Sequence, residues 1–103
     1  MLKSGQRQNG TELYQAILGL RDLEECRRFF EDLCTPNELR SMEQRYEVAL
    51  CLEKGMVYLD ILKRTGASSA TISRVRRSML ENGAGGVMRE VIEREERRKE
   101  EEG

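Results

Sequence analysis

Between Lys63 and Leu80 the chain carries Lys63, Arg64, Arg74, Arg76 and Arg77 and not one acidic residue. On either side of Gly66 the apolar residues recur at helical spacing, Ile61 and Leu62 before it and Ile72, Val75 and Met79 after it. Steps of three and four place such residues on one face of a helix. A glycine between two short helices supplies the left-handed backbone that a tight corner requires. The stretch Tyr58–Leu80 therefore predicts a helix over Tyr58–Arg64, a turn at Thr65-Gly66-Ala67, and a second helix from Ser68 or Ser69 to about Met79. A pair of short helices cannot hold itself, so the remainder of the chain must supply the core behind it. Composition points to helix for that core as well. Charged residues make up 36% and hydrophobic ones 38%, with one proline and 5% aromatics, a balance typical of all-α proteins.

The punctuation of the chain agrees. Met1–Gly10 is polar and glycine-bearing and is expected to be a flexible arm. Thr11 can cap a first helix carrying Leu13, Tyr14, Ile17 and Leu18, closed near Gly19 or at Leu20–Arg21. Asp22 and Glu25 have the spacing of a capping box and open a helix to Leu33, with Leu23, Cys26, Phe29, Phe30 and Leu33 as one stripe. Thr35-Pro36-Asn37-Glu38 is a fuller start signal: Thr caps, Pro takes the first helical position where no N–H is needed, and Glu38 reaches back. That helix runs to about Lys54, with Gly55 as its stop. Leu39, Met42, Tyr46, Ala49 and Leu50 line one side of it and Val48, Cys51 and Leu52 a second. A helix apolar on two sides must be covered on two sides. The second cover is either the chain's own neighbouring helices or another subunit, and 103 residues is small enough for oligomerisation to add needed burial. Asn82-Gly83-Ala84-Gly85-Gly86 is a break, and a last helix from near Val87 has Met88, Val91 and Ile92 as its apolar grip. Glu90–Arg94, Glu93–Arg97 and Glu95–Lys99 then stand i, i+4 along a charged tail expected to fray toward Gly103. The domain is expected over residues 11–92, with 93–103 as the tail.

Several classes of chemistry have no seat here. There is no histidine, which removes most zinc sites and the commonest general base. Cys26, Cys34 and Cys51 show no ligand spacing and sit beside apolar neighbours, so buried reduced thiols are expected. No phosphate-cradling motif follows a strand, and no metal, cofactor or catalytic residue is expected. No signal core or membrane-length apolar run is present, so a cytoplasmic protein without membrane contact is expected.

Recognition of double-stranded DNA has a seat. With Ile72, Val75 and Met79 inward, Ser69, Ala70, Ser73 and Arg77 fall on the opposite side of the second helix, where small residues permit close approach to base edges. Lys63, Arg64, Arg74 and Arg76 flank that face and suit phosphate oxygens, which set register rather than read sequence. Ser68 and Thr71, at the start of the same helix, are counted with this set. Two serines and an alanine are a weak direct code, so water and DNA shape are expected to carry much of the specificity. The net charge of −1 does not oppose this, because the basic run is local and an acidic C-terminal segment follows it. A solvated basic helix in a bundle would carry similar charges without needing the glycine corner. A helical dimeric module that binds protein through the same fold is the alternative function, since a fold does not fix its use.

From Phe30 to Leu80 the chain resembles the Trp repressor superfamily, and specifically its YerC/YecD-type members. The resemblance is carried by Leu-Cys-Thr-Pro-Asn-Glu at 33–38, Arg45, Gly55, and the run Gly66-Ala67-Ser68-Ser69-Ala70-Thr71-Ile72-Ser73-Arg74. It covers about half the chain. It implies an all-α fold of about six helices, an intertwined homodimer, and two reading heads entering successive major grooves of an operator, possible palindromes included. It also implies a co-repressor pocket: Thr35, Arg45, Arg74 and Ser78 fall where the family's tryptophan-contacting Thr, two Arg and Ser sit. Val75 departs from that pattern, standing where the pocket has a glycine, and a branched side chain there occupies space an indole ring needs. The segment from Gly55 to Gly66 is one residue shorter than in Trp repressor. Tight tryptophan binding is therefore not expected, and whether another small anion serves as effector is left open. The expected function is a DNA-binding transcriptional regulator acting as a repressor.

Overall fold

The computed structural model describes the backbone of residues 2–81 and 85–103 and the side chains of 10–80 and 87–103. Among the described residues there are six helices and no strand: α1 (Leu2–Leu18), α2 (Leu23–Leu33), α3 (Pro36–Glu53), α4 (Tyr58–Thr65), α5 (Ser69–Glu81) and α6 (Gly85–Glu102). They form two compact units, one ending at Leu39 and the other running from Arg40, so the boundary falls inside α3.

In the N-terminal unit, α1 begins at Leu2 rather than at Thr11. Thr11 is thus an interior helical residue and not a cap, and the backbone of 2–10 is helical where the sequence predicts a flexible arm. Extending an existing helix costs far less than nucleating one, and Lys3, Gln6, Arg7 and Gln8 are good helix formers. The helix ends as predicted, with Gly19 and Leu20 N–H groups bonded to the Ala16 and Ile17 carbonyls at 3.0 and 3.2 Å. Asp22 caps α2, its carboxylate accepting from Glu25 N at 2.8 Å. Glu25 reaches back one residue further than a capping box does, accepting from the Arg21 backbone N–H and guanidinium. The guanidinium bond, with the backbone bond second, holds the Glu25 carboxyl below its ordinary range. Phe29 and Phe30 stand edge to face with centroids 5.4 Å apart. The apolar stripe of α2 is present, yet the helix contains no buried residue: Leu23 is 74% exposed and Leu33 55%. Cys26 and Cys34 are only half-buried, which corrects the expectation that all three thiols are buried; Cys51 is, and all three are free. Cys26 lies on the stripe of α2 and Cys34 is its C-cap, at a helix with no buried residue.

The capping box of α3 closes in both directions. Thr35 Oγ1 accepts from Glu38 N at 3.1 Å, and Thr35 N donates to Glu38 Oε1 at 2.8 Å. At the other end Gly55 takes φ +77°, with Gly55 N bonded to Leu52 O and Met56 N to Cys51 O. This paired closure satisfies carbonyls that would otherwise be orphaned and turns the chain sharply into α4.

The core of the C-terminal unit is Val48, Ala49, Cys51, Ile61, Ala67, Ile72, Val75, Met79 and Ile92, drawn from α3, α4, the corner, α5 and α6. Burying each of the larger side chains contributes about 1.5–3 kcal/mol. The three inward residues predicted for α5 are all in it, at 3–5% exposure. The late turns of α3 are buried, whereas Met42 and Tyr46 on its earlier turns stay more than a third exposed. Gly66 has φ +70° and donates its N–H to the Leu62 carbonyl at 2.9 Å, ending α4. A Cβ built on Gly66 meets nothing within 4 Å, so a side chain there is opposed by the backbone conformation alone. Gly66→Ala is expected to cost about 1–2 kcal/mol and lower the melting temperature by several degrees in calorimetry. An unchanged melt would refute the left-handed corner.

Val87 lies within α6, whose backbone starts at Gly85; the predicted break at 82–86 falls partly on 82–84, outside the described residues. Met88 is partly buried against the core and Ile92 is buried in it, and Arg89 Nε pairs with Glu53 Oε1 at 3.0 Å. The tail remains helical to Glu102 rather than fraying, and its ion pairs are Glu95–Arg98 and Arg98–Glu102, not the three i, i+4 pairs expected. Arg98 bridges an acid on either side and its planar fork can serve both. No described helix is long and apolar enough to cross a membrane.

Candidate nucleic-acid interface

The corner presents α5 by a chain of local bonds. Thr65 Oγ1 donates to the Ile61 carbonyl at 2.8 Å and accepts from Ala67 N at 3.1 Å, tying the turn to α4. Ala67 is buried at 3% and anchors the turn to the core. Ser68 then caps α5: its Oγ accepts from Thr71 N at 3.1 Å and donates to Thr71 Oγ1 at 3.1 Å. Ser68 and Thr71, both counted in the DNA-facing set, thus have their hydroxyls engaged in starting the helix, and Thr71 is half-buried.

Beyond the cap, Ser69, Ala70, Ser73, Arg74, Arg76 and Arg77 are all exposed, as are Lys63 and Arg64 in the last turn of α4. The burial of Ile72, Val75 and Met79 is what turns this set outward. Lys63, Arg74, Arg76 and Arg77 have no ion-pair partner among the described residues, whereas Arg64 Nε lies 3.6 Å from Glu47 Oε2. Both members of that pair are about half exposed, so it is weak and replaceable by a phosphate. The arrangement is a small-residue face rimmed by free guanidinium and ammonium groups, suited to close approach along a polyanion.

Arg74 and Arg76 leave α5 on opposite flanks. Arg76 borders a groove with Tyr58, Met79, Leu80 and Arg89. Arg74 borders another, of about 260 Å³, with Met42, Arg45, Tyr46, Val75, Ser78 and Met88. Four of the five residues singled out for an effector pocket therefore converge: Arg45, Arg74, Val75 and Ser78. Thr35 is not among them; it belongs to the N-terminal unit, and its hydroxyl is used to cap α3. Arg45 is steadied by a 3.1 Å bond from Nη1 to Ser41 Oγ. Burial first, and then Glu95 and Glu96, push the Tyr46 hydroxyl above its ordinary value, keeping it protonated. Val75, 5% exposed, stands in the groove wall and the core at once. Among the described residues no cluster of three acids or thiols could hold a metal ion.

Sequence reading missed Met42, Tyr46 and Met88 as groove residues, having placed them among the apolar grips of α3 and α6. It also missed Gln44, whose Nε2 donates to the Thr65 carbonyl at 3.1 Å. A polar residue in a helix carries no pattern that announces such a bond.

The Trp repressor protein family profile matches residues 8–96. The uncharacterised protein YerC of Bacillus subtilis (strain 168) is 57% identical over 68 residues, 66% of this chain and 65% of that protein; the match thus spans a little under two thirds of the relative's own length. A solved TrpR-like protein from Eubacterium eligens ATCC 27750 aligns at TM-score 0.79 and 52% identity over 84% of this chain and 88% of that one. A candidate Trp repressor from Staphylococcus aureus aligns at TM-score 0.82 and 40% identity over 93% and 95%.

Proposed function

Because the chain belongs to the Trp repressor protein family, we propose that it is a homodimeric, sequence-specific DNA-binding transcriptional regulator, a repressor that does not answer to tryptophan. The observation that carries this is the face of α5: Ser69, Ala70, Ser73 and Arg77 outward, with Lys63, Arg64, Arg74 and Arg76 around them. The small residues meet base edges and the basic ones hold phosphates. Ser68 and Thr71 act by starting the helix. Residues 11–92 form the dimerisation and reading domain. The dimer is supported by the apolar side chains that the chain leaves uncovered, with Tyr14, Leu18, Leu23 and Leu33 all more than half exposed. Single exposed apolar residues are ordinary, but a whole one-sided helix without a buried residue calls for a partner.

The test is selection of genomic fragments by the full chain at two salt concentrations, with its mass measured in solution. A dimer that retains particular duplexes at low salt and loses them steeply as salt rises is expected. A monomer that selects no sequence would refute the reading and favour a protein-binding module.

Insensitivity to tryptophan rests on Val75. Titration of tryptophan into the protein is expected to give no binding in the micromolar range by calorimetry, and tight binding would overturn the steric account. Val75→Gly should gain measurable affinity by opening the groove beside Arg45, Arg74 and Ser78. Its folding must be checked first, since a helical glycine and a lost core side chain together cost about 2–3 kcal/mol.

A further inference from the structure

The helix corner is packed on the core by Ile61, Ala67 and Ile72. Such packing is non-directional: it sets how close the corner lies to the core but resists rotation poorly. A directional tie to α3 is added by a hydrogen bond. Gln44, partly buried on α3, donates from Nε2 to the Thr65 carbonyl at 3.1 Å, across 21 positions of sequence. That carbonyl is one of the last of α4, which have no partner inside their own helix. That of Leu62 is served by Gly66 N, and that of Thr65 is served by Gln44. One helical turn further along α3, Glu47 faces Arg64 at 3.6 Å, but that pair is exposed and contributes little. The directional hold on the corner therefore lies with Gln44.

We propose that Gln44 is a positioning residue for the reading head: it fixes the pitch at which α5 meets DNA, and so governs discrimination between sites more than the general hold on DNA. This rests on the DNA-binding reading above. Long Lys and Arg side chains follow a phosphate through a small tilt, so Lys63, Arg74, Arg76 and Arg77 keep their contacts when the corner shifts. Ser69, Ala70 and Ser73 are short, and a tilt that moves them by an ångström breaks their contact with base edges.

The test uses the full chain and two duplexes, the one most strongly retained in genomic selection and a scrambled duplex of equal length. Gln44→Met keeps length and helix propensity but has no donor. It is expected to lose about tenfold in affinity for the selected duplex and less than twofold for the scrambled one, with the salt dependence unchanged. Amide exchange at Gly66, Ala67 and Ser68 should quicken while that of Val75 and Met79 stays as in the parent. Gln44→Asn, polar but one methylene too short, should behave alike and serves if the methionine variant folds poorly. Equal losses on both duplexes, or corner amides that exchange as before, would overturn the inference while the parent still selects DNA. A parent that selects no duplex would overturn the DNA-binding reading itself, and this inference with it.

Discussion

Replacing Ser69 and Arg77 together by glutamate is expected to reduce DNA affinity by at least about 100-fold at low salt, with little change in the melting temperature. Both side chains are exposed on α5 and neither has a described partner to lose. Each chain would change by three units of negative charge, one at Ser69 and two at Arg77, on the face proposed to meet DNA. Ser69 is the first residue of α5, where a carboxylate is favoured by the helix dipole, so Ser69→Glu does not weaken the fold. That asymmetry gives the experiment its force: a chain that melts as the parent does yet no longer shifts DNA has lost an interface and not its structure. Binding as tight as the parent's would remove α5 from the DNA, and membership of the family alone would not restore it.

Ile61→Ala is expected to destabilise the protein by about 2–5 kcal/mol, a large part of the 5–15 kcal/mol that a domain has in all. Ile61 is 1% exposed and among the largest fully buried side chains. It is the buried residue of α4, an eight-residue helix, so few neighbouring side chains can move in to fill the void. Urea melts should be run at matched chain concentrations, because the stability of the proposed dimer would depend on concentration. The midpoint should fall with the slope unchanged. A loss below about 1 kcal/mol would mean that the site collapses freely around alanine, contrary to a core fixed from α3, α4, α5 and α6.

Much of the fold was legible because its boundaries are made by residues with a single local use. Thr35 and Glu38 close on one another, Asp22 receives Glu25 N, and Gly55 and Gly66 take the left-handed conformations that stop α3 and α4. The inward set of α5 followed from spacing alone, and with it the outward set. What escaped has a common cause. Helix starts without a cap are set by propagation from a neighbour, so Thr11 looked like a beginning when α1 runs from Leu2. Exposure depends on cover the pattern cannot supply, so Cys26 and Cys34 looked buried when they are half open. Long polar side chains choose among several partners of equal spacing. Arg98 thus took Glu95, expected to pair with Lys99, and added Glu102, and Gln44 and Arg89 reached across to Thr65 and Glu53 unannounced. The groove on the Arg74 flank was half legible: the resemblance singled out Arg45, Arg74, Val75 and Ser78, which line it, but not Met42, Tyr46 and Met88.

The brevity of α4, bounded by Gly55 and Gly66, bears on how this protein could be re-used. A helix of eight residues is well below the length that persists alone in water, and its start at Val57 has no side-chain cap. It exists because Ile61 is packed into a core shared with α3 and α5. The reading head is therefore not a cassette that can be cut out and grafted onto another scaffold. Changing what the proposed reading face recognises would mean redesigning the surface of α5 in place, with the α3 and α6 residues packed behind it left intact.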